Sequence, residues 1–302
     1  MRISAIVNTL NEEANIADCL DSLAWVDEII VVDMDSDDNT KQIAYKYTDH
    51  VYNHKRVGFV EPARNFAIGK ATGNWLLIID ADERVGPALA TRLKDISVTG
   101  TANFVRLPRK NIIFGSWMKH SRWWPDYNVR FFKRGMVEWQ SELHSIPITR
   151  GEGLNLEPNE ELALIHYNYR SLADYFDRLN RYTSVQARQL LTDGYQFSWL
   201  DMLTKPLAEF MSRFFAAAGY EDGLHGLVLS LLQSFSELLV YLKVWEQQGF
   251  KAQSGRGFKH QFVDLAKKAA GDLSYWMLTL KLELTDKKSA RFWLRLRRKM
   301  LQ

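Results

Sequence analysis

Short apolar runs alternate with segments of helical spacing over the first hundred residues of the chain. The runs that predict strands are residues 3–7, 28–32, 51–52 and 75–79. Between them, the spacing of apolar residues predicts helices over residues 15–23, 40–47 and 62–71. This alternation indicates an α/β domain built on a parallel sheet, with the ends of its strands on one rim.

The run at 75–79 is apolar on both faces, as expected of a central strand covered by helices on each side. It leads directly into Asp80, Ala81, Asp82 and Glu83. Ligands bind beyond the carboxyl ends of strands in open α/β sheets, and Asp80 and Asp82 point to the same side of an extended chain. Because neighbouring carboxylates repel each other, a divalent cation is their natural partner. For these residues taken alone, a solvated acidic turn is the alternative.

Two further polar residues are predicted at the same rim. Asp33 follows the run at 28–32 and is suited to accept hydrogen bonds from a base or a ribose. Arg64 lies on the predicted helix at 62–71 and is suited to bidentate phosphate binding, with a plain surface arginine as the alternative. The sequence has neither a G-x-G-x-x-G after its first strand nor a P-loop, which disfavours both of those nucleotide sites.

Four landmarks resemble, in order, those of family 2 glycosyltransferases: residues 7–13 (VNTLNEE), 31–33 (VVD), 64–65 (RN) and 80–83 (DADE). Those enzymes have the GT-A fold, the α/β fold of nucleotide-diphosphosugar transferases. The resemblance implies a nucleotide-sugar site, with uridine as the expected nucleoside, formed by Thr9, Asn11, Glu12, Asp33, Arg64 and Asp80. It also implies that Asp80 and Asp82 hold Mn²⁺ or Mg²⁺.

Residues 101–160 are expected to form the acceptor side of the same domain. Aromatic side chains beside charged ones suit sugars, because a pyranose has apolar faces and a polar rim. This assigns acceptor contacts to Trp123, Trp124 and Arg130, although Trp123 would equally suit a hydrophobic core.

The stretch 137–145 (VEWQSELHS) resembles the Trp-x-Gly-x-Val-His-Glu stretch of the lipopolysaccharide-core branch of the family. In that resemblance His144 matches the family histidine, which implies a metal or phosphate contact, and Ser145 replaces the acid that usually follows. An inverting transferase needs a carboxylate to deprotonate the acceptor hydroxyl. We therefore predict Glu142 as the catalytic base, ahead of Asp126.

From residue 162 onward the sequence predicts helices, among them 172–191, 205–215 and 227–245. Their order, with a GYEDG turn before the last, again resembles the lipopolysaccharide-core branch, to about residue 246. The stretch 227–245 contains Gln233, Glu237 and Lys243, which predicts a packed helix rather than a membrane span. The predicted organisation is a GT-A domain over 1–160, with nucleotide-sugar binding in 1–100 and the acceptor side in 101–160, followed by a helical region over 161–302.

The net charge of +3 conceals an uneven distribution. Residues 251–302 carry 13 Lys or Arg against 4 Asp or Glu, a net charge of +9, whereas the first 250 residues carry 26 against 32, a net charge of −6. In the segment 287–302, basic residues interleave with Phe, Trp and Leu, which predicts contact with an anionic membrane surface. Packing on its own domain or on a second subunit is the alternative, so a homo-oligomer stays open. No nucleic-acid-binding motif is present.

A composition of 46% hydrophobic and 25% charged residues is that of an ordinary globular protein. The single cysteine, Cys19, is predicted to be a buried structural thiol. The chain enters a strand at once, without a signal sequence, so we expect a cytoplasmic protein, peripheral on the inner face of the membrane.

Together these features predict a metal-dependent, inverting glycosyltransferase. It would move a sugar from a nucleotide-diphosphate donor, UDP above all, to a saccharide or lipid-linked saccharide of the bacterial cell envelope. The alternatives are transfer to a protein or peptide, a nucleotidyltransferase and a non-enzymatic protein at a membrane surface. A nucleotidyltransferase predicts a glycine-rich basic loop after the first strand, where this chain has an acidic one. A non-enzymatic protein would not need the whole acidic rim.

Overall fold

The computed structural model describes residues 1–56, 61–139, 147–252 and 257–299. The chain divides into two compact units. The first, called here the sheet unit, comprises Met1–Lys119 and Trp123–Arg170. The second, the helical unit, comprises His120–Arg122 and Ser171–Gln302.

Strands make up most of the sheet unit. In chain order they are β1 (Ile3–Thr9), β2 (Glu28–Asp33), β3 (Val51–Asn53), β4 (Trp75–Asp80), β5 (Glu83–Arg84), β6 (Phe104–Ile113), β7 (Ser116–Trp117), β8 (Asp126–Lys133), β9 (Val137–Glu138), β10 (Ile148–Thr149), β11 (Gly153–Asn155) and β12 (Leu164–Tyr169). Its helices are α1 (Ile16–Asp21), α2 (Thr40–Ala44), α3 (Glu61–Lys70) and α4 (Pro87–Thr99).

The main sheet has the order β3-β2-β1-β4-β8-β6-β12-β5, and β7 and β11 also pair with β6. The first four strands in this order are parallel, and β8 runs antiparallel to both β4 and β6. Every residue of β1 is buried, as are the first five of β4. One sheet face packs against residues of α1 and α4 and the other against α3, which explains why these strands are apolar on both sides.

Strand register brings polar residues together where the parallel strands end. Thr9 of β1 is the register partner of Asp33 of β2, and Asn8 is the partner of Asp80 of β4. The predicted rim of strand ends is therefore a continuous edge of the sheet.

The sheet continues further along the chain than the sequence predicts. Residues 164–169, expected to lead into a helical region, form β12, which pairs with β6 and β5. The first long helix, α5 (Leu172–Thr192), begins after Ser171, whose side chain caps it by accepting a bond from the Asp174 amide. Alternating exposure along β12 is a period-two pattern, and short strands of this kind are easily missed beside a strong helical signal.

The helical unit contains α5, α6 (Trp199–Phe210), α7 (Gly223–Gln247), α8 (Phe258–Glu283) and α9 (Lys288–Lys299). The helix predicted to begin near Lys205 instead begins at Trp199, because the Ser198 side chain caps it there. Pro206, predicted near the start of the helix, lies inside it. A π-helical turn over Met211–Ala216 follows α6.

Among the described residues, one helical stretch, Gly219–Gln247, is long and apolar enough to cross a bilayer. Its most apolar part has a mean hydropathy of 1.5, and 28% of that part is buried. Its polar side chains nevertheless bond within the helical unit. Gln233 donates to the Tyr175 hydroxyl at 3.0 Å, and Lys243 donates to Thr183 at 2.8 Å. These bonds fit the predicted packed helix, since they tie α7 to α5.

Truncating the core of β4 tests how far the sheet depends on this strand. Leu77→Ala should lower the free energy of unfolding of the sheet unit by about 2–5 kcal/mol, because Leu77 is fully buried and the neighbours of a deleted core side chain relax only partly. Urea unfolding gives this value. Val98→Ala on α4 is the control and should change it by less than about 0.5 kcal/mol, since Val98 is exposed. Equal effects of both substitutions would contradict this account of the core.

Candidate active site

Three buried polar side chains lie at the ends of β1 and β2. Asn8, Thr9 and Asp33 are only 4%, 1% and 2% exposed. Within the part of the chain that the structure describes, both amide atoms of Asn8, the Thr9 hydroxyl and Oδ1 of Asp33 have no hydrogen-bond partner. Buried polar atoms are nearly always bonded in native proteins, so this group is suited to the polar atoms of a ligand.

Two loops that flank this group are bonded to each other. The Asn11 amide donates to the Ser36 hydroxyl at 2.9 Å, and the Asp37 amide donates to Asn11 Oδ1 at 2.8 Å. The Glu12 amide donates to Thr40 Oγ1 at 2.7 Å. Asn11 adopts a φ of +56°, a left-handed conformation that asparagine tolerates. The predicted nucleotide residues Asn11 and Glu12 are thereby fixed beside the loop that follows Asp33.

Asp80 lies at the centre of a buried ionic network. Arg64 donates to Asp80 Oδ1 at 2.8 Å, and Arg130 donates to Asp80 Oδ2. Burial alone would raise the pKa of Asp80, but the charges of Arg130 and Arg64 outweigh it, so this pKa lies well below its ordinary value. Asp80 is therefore anionic and held in place by two guanidinium groups.

Glu83 is the second anion of this network. It is fully buried, and its carboxylate accepts bonds from the Asp80 amide at 2.9 Å and from Arg130 at 2.7 Å. Arg109 approaches it at 3.5 Å. Sequence reasoning quoted Glu83 within the DADE motif without giving it a role. The structure also places Arg130, predicted as an acceptor contact, against Asp80 and Glu83 rather than beside the tryptophans.

Asp82 faces His166 of β12, at 3.5 Å between Oδ2 and Nε2. The other ring nitrogen lies 2.6 Å from Asn111 Oδ1. The Asn111 amide nitrogen donates to the Trp123 carbonyl and to Asp126, which assigns its oxygen as the acceptor and Nδ1 of His166 as the donor. In the neutral imidazole the Nε2 lone pair therefore points towards the Asp82 carboxylate.

His166 was missed from the sequence. Its only signal is a polar residue in a short apolar stretch, and its closeness to Asp82 depends on β12 pairing antiparallel with β5, where His166 is the register partner of Glu83.

Asp126 is tightly bonded at the start of β8. Its Oδ2 accepts from Arg109 Nε at 2.9 Å and from Asn111 at 3.2 Å. Burial would raise the pKa of Asp126, but the charge of Arg109 and the bonds from Asn111 and Arg109 outweigh it and hold this pKa below its ordinary value. Because base strength falls with pKa, Asp126 is a weak base in this setting.

The predicted acceptor residues Trp123 and Trp124 are half-buried next to Asp126. Trp124 meets Trp117 edge-to-face, with ring centroids 5.3 Å apart. Lys110 and Lys119 both lie over the Trp117 ring, at 4.8 and 4.4 Å. This aromatic and basic surface belongs to the sheet unit.

Glu142 and His144 lie outside the described residues. The segment before them is anchored next to Arg64, since Asn65 bonds both the amide and the carbonyl of Trp139, at 3.1 and 2.6 Å. The Arg64 guanidinium also lies over the Trp139 ring, at 5.7 Å.

A divalent cation fits the donor set at Asp82. Among the described residues, no three His, Cys, Asp or Glu side chains form a ready-made cage. Mg²⁺ commonly binds through one or two carboxylates together with substrate phosphates and water. The Asp82 carboxylate and the Nε2 lone pair of His166, whose Nδ1 is oriented by Asn111, are suitable donors of this kind.

Removing Arg130 tests the buried network. Arg130→Met should destabilise the protein by about 3–5 kcal/mol, because it leaves the fully buried Glu83 and the half-buried Asp80 with less opposing charge. Adding Glu83→Gln should recover part of this loss. Arg150→Met is the control: its ion pair with Glu138 is exposed, so the loss should stay below about 1 kcal/mol. Chemical denaturation measures all four proteins, and similar losses at Arg130 and Arg150 would contradict the network.

Comparison with known proteins supports the assignment made from sequence. Residues 4–151 match the model of Glycosyl transferase family 2. An uncharacterized glycosyltransferase of Rickettsia typhi, RT0209, is 26% identical over 81% of this chain and 87% of its own length. The lipopolysaccharide core biosynthesis glycosyltransferase LpsC of Rhizobium meliloti is 24% identical over 83% of this chain and 94% of its own.

Among solved structures, TarS of S. aureus (residues 1–349, in complex with UDP) is 17% identical and covers 85% of this chain and 95% of its own, with a TM-score of 0.44. The predicted α/β GT-A fold with a mostly helical C-terminal part is confirmed by the family match and the sheet topology. The resemblance to the lipopolysaccharide-core branch is confirmed by LpsC at modest identity. Residues 4–151 are thus a family 2 glycosyltransferase domain, and the chain is a glycosyltransferase.

Proposed function

We propose that this enzyme transfers a sugar from a UDP-linked donor to a saccharide or lipid-linked saccharide of the bacterial cell envelope, with a divalent cation and with inversion at the anomeric carbon. The observation that carries the proposal is the row of polar groups at the ends of β1, β2 and β4, buried on β1 and β2 and half-buried on β4. It combines the orphaned atoms of Asn8, Thr9 and Asp33 with an anionic Asp80 held by arginines.

The donor nucleoside binds at the ends of β1 and β2 in this proposal. Asp33 and Asn8 offer acceptors and donors that match a base or ribose, and Thr9 adds a hydroxyl. Asn11 and Glu12 close the adjacent edge. Arg64 lies within reach of a diphosphate next to Asp80 and can bind it bidentately, which makes residues 1–100 the donor half of the GT-A domain.

A cation would be held by Asp82 and His166, with Asp80 and His144 as the ligands proposed from sequence. When bound, Mn²⁺ or Mg²⁺ neutralises the charge that builds on the departing diphosphate. Asn111 keeps the Nε2 lone pair of His166 directed at the site. Both Asp80 oxygens accept from arginines in the structure, and Asp82 lies against His166, so the proposal takes Asp82 and His166 together as the ligand pair.

The catalytic base is Glu142 in this proposal. The lowered pKa of Asp126 and its bonds to Arg109 and Asn111 suit a residue that orients its neighbours better than one that removes a proton. Trp123 and Trp124, next to Asp126, offer aromatic faces to the acceptor. Arg130 supports the site through Asp80 and Glu83.

The acceptor class is proposed from the resemblance to the lipopolysaccharide-core branch and from the name of LpsC. With a lipid-linked acceptor, the enzyme would work on the cytoplasmic face of the membrane. Its C-terminal helices would contact anionic lipid there, and the enzyme would act as a monomer or as a homo-oligomer. Transfer to a protein side chain is the remaining alternative. Assays with saccharide, lipid-linked and peptide acceptors distinguish these.

Thermal unfolding with nucleotides tests the donor and the metal. UDP with Mn²⁺ should raise the melting temperature by about 5 °C or more at saturating ligand, and chelator should remove most of this shift. Asp82→Asn and His166→Ala should reduce the Mn²⁺-dependent part. Asp95→Asn, an exposed carboxylate on α4, is the matched control. A larger shift with GDP would contradict the uridine assignment, and no shift with any nucleotide would contradict the donor site.

Asn8 gives a second test, because removing its two unpaired polar atoms should have opposite effects on stability and on UDP binding. Asn8→Leu, of similar volume, should leave the melting temperature of the protein alone unchanged or higher, because it removes buried polar atoms that lack partners. The same change should reduce the UDP-induced shift. A destabilised variant with an unchanged UDP shift would show that Asn8 is structural.

A further inference from the structure

The last described helix, α9, presents an aromatic face to solvent. Phe292, Trp293 and Leu296 are 63%, 67% and 44% exposed. At 100° per residue, their positions fall on one side of the helix. Exposed aromatic side chains that adjoin one another and are rimmed by polar residues are typical of interaction sites.

Basic side chains border this aromatic face on both sides. Arg291, Arg295 and Lys299 follow at four-residue spacing along one edge, and Arg297 lies at the other. The helix carries six Lys or Arg and no Asp or Glu. The arginine-edged face is defined here as Phe292, Trp293 and Leu296 with these four basic residues.

The opposite side of α9 is held against α8. Arg298 donates to Thr279 Oγ1 at 3.4 Å, and its guanidinium lies 5.6 Å from the centre of the Tyr275 ring. Phe292, Trp293 and Leu296 lie on the side of α9 away from this contact, and Arg291 lies next to it. Further exposed apolar side chains follow one another along α8, namely Phe258, Phe262, Leu273 and Met277.

We propose that the arginine-edged face binds the surface of an anionic lipid bilayer, with α9 lying in the plane of the interface. Helices with Trp, Phe and Leu on one face and basic residues at its edges bind membranes in this way, and anionic headgroups attract the arginines. At about 18 Å in length α9 is too short to span a hydrocarbon core of about 30 Å. The inference deepens the proposed function and rests on it for the role of the contact, which is to bring the enzyme to a lipid-linked acceptor.

The charge of the arginine-edged face favours a bilayer over a second copy of the chain as its binding partner. Two arginine-edged faces packed together would oppose basic residues without a single acid from either α9, and like charges that close repel each other. Phosphate headgroups supply the missing negative charge.

Co-sedimentation of the full chain with lipid vesicles tests the proposal. The protein should pellet with vesicles that contain phosphatidylglycerol and much less with pure phosphatidylcholine. Raising the salt from about 0.1 M to about 1 M should release it, because the screening length falls from about 10 Å to about 3 Å.

Two variants test the two halves of the face. Arg291→Glu with Arg295→Glu and Arg297→Glu should lower partitioning onto anionic vesicles at least about 100-fold, since each basic residue near such a surface contributes about fivefold. Phe292→Ser with Trp293→Ser should lower it about 10-fold or more. Arg92→Glu and Tyr45→Ser change an exposed arginine and an exposed aromatic residue of the sheet unit, and both should bind as the wild type does.

Three results would overturn the proposal: variants that bind like the wild type, equal binding to neutral and anionic vesicles, or a solution dimer that the variants disrupt without any vesicle binding. The last would identify the face as an interface between copies. UDP-induced thermal stabilisation of the same variants separates the two proposals. If UDP still raises the melting temperature but the wild-type protein does not bind vesicles, only the membrane proposal is wrong. If the protein binds vesicles but UDP does not change its melting temperature, only the donor-site proposal is wrong.

Discussion

The pairing of acids with arginines at the carboxyl end of β4 is the constraint on which the proposed donor site depends. Asp80 and Glu83 are tolerated there because Arg130 reaches both carboxylates and Arg64 closes the remaining side of Asp80. Arg130 comes from β8, which lies antiparallel to β4. The mixed sheet thus brings a cation from a distant segment to the half-buried Asp80 and the fully buried Glu83.

The same acidic loop is connected to the proposed acceptor side by a chain of polar contacts. It runs from Asp82 through His166 and Asn111 to Asp126, and Arg109 returns from Asp126 to Glu83. The residues come from β6, β8 and β12, so the position of the acidic loop and that of the tryptophan segment depend on each other.

The helical unit obeys a different principle. Its inner contacts are apolar and aromatic, with Phe197 stacked on Trp245 and Phe215 on Trp276. Its outer surface keeps large apolar side chains exposed along α8 and α9, next to basic ones. A soluble helix usually turns such residues inward, and this exposed surface is the basis of the membrane contact that we propose.

Local sequence determined the parallel half of the sheet and most of the donor rim. The run at 75–79 is apolar throughout and leads directly into acids, the shorter runs before it alternate with helical spacing, and register then aligns Thr9 with Asp33 and Asn8 with Asp80. The acidic motif and Arg64 could be named because their chemistry is local to one strand end or one helix. The resemblance to family 2 glycosyltransferases supplied their roles.

Tertiary structure alone decided which partners these residues have. Nothing in the sequence near His166 indicates Asp82, and nothing near Arg130 indicates Glu83, because both contacts arise from pairing between strands far apart in the chain. Asp126 carries a carboxylate, as a catalytic base would, but this carboxylate is paired with Arg109. Which side of α9 faces outward likewise depends on a tertiary contact, the packing of Arg298 on Tyr275 of α8. Pairing across a sheet and packing between helices are long-range events that periodicity does not encode.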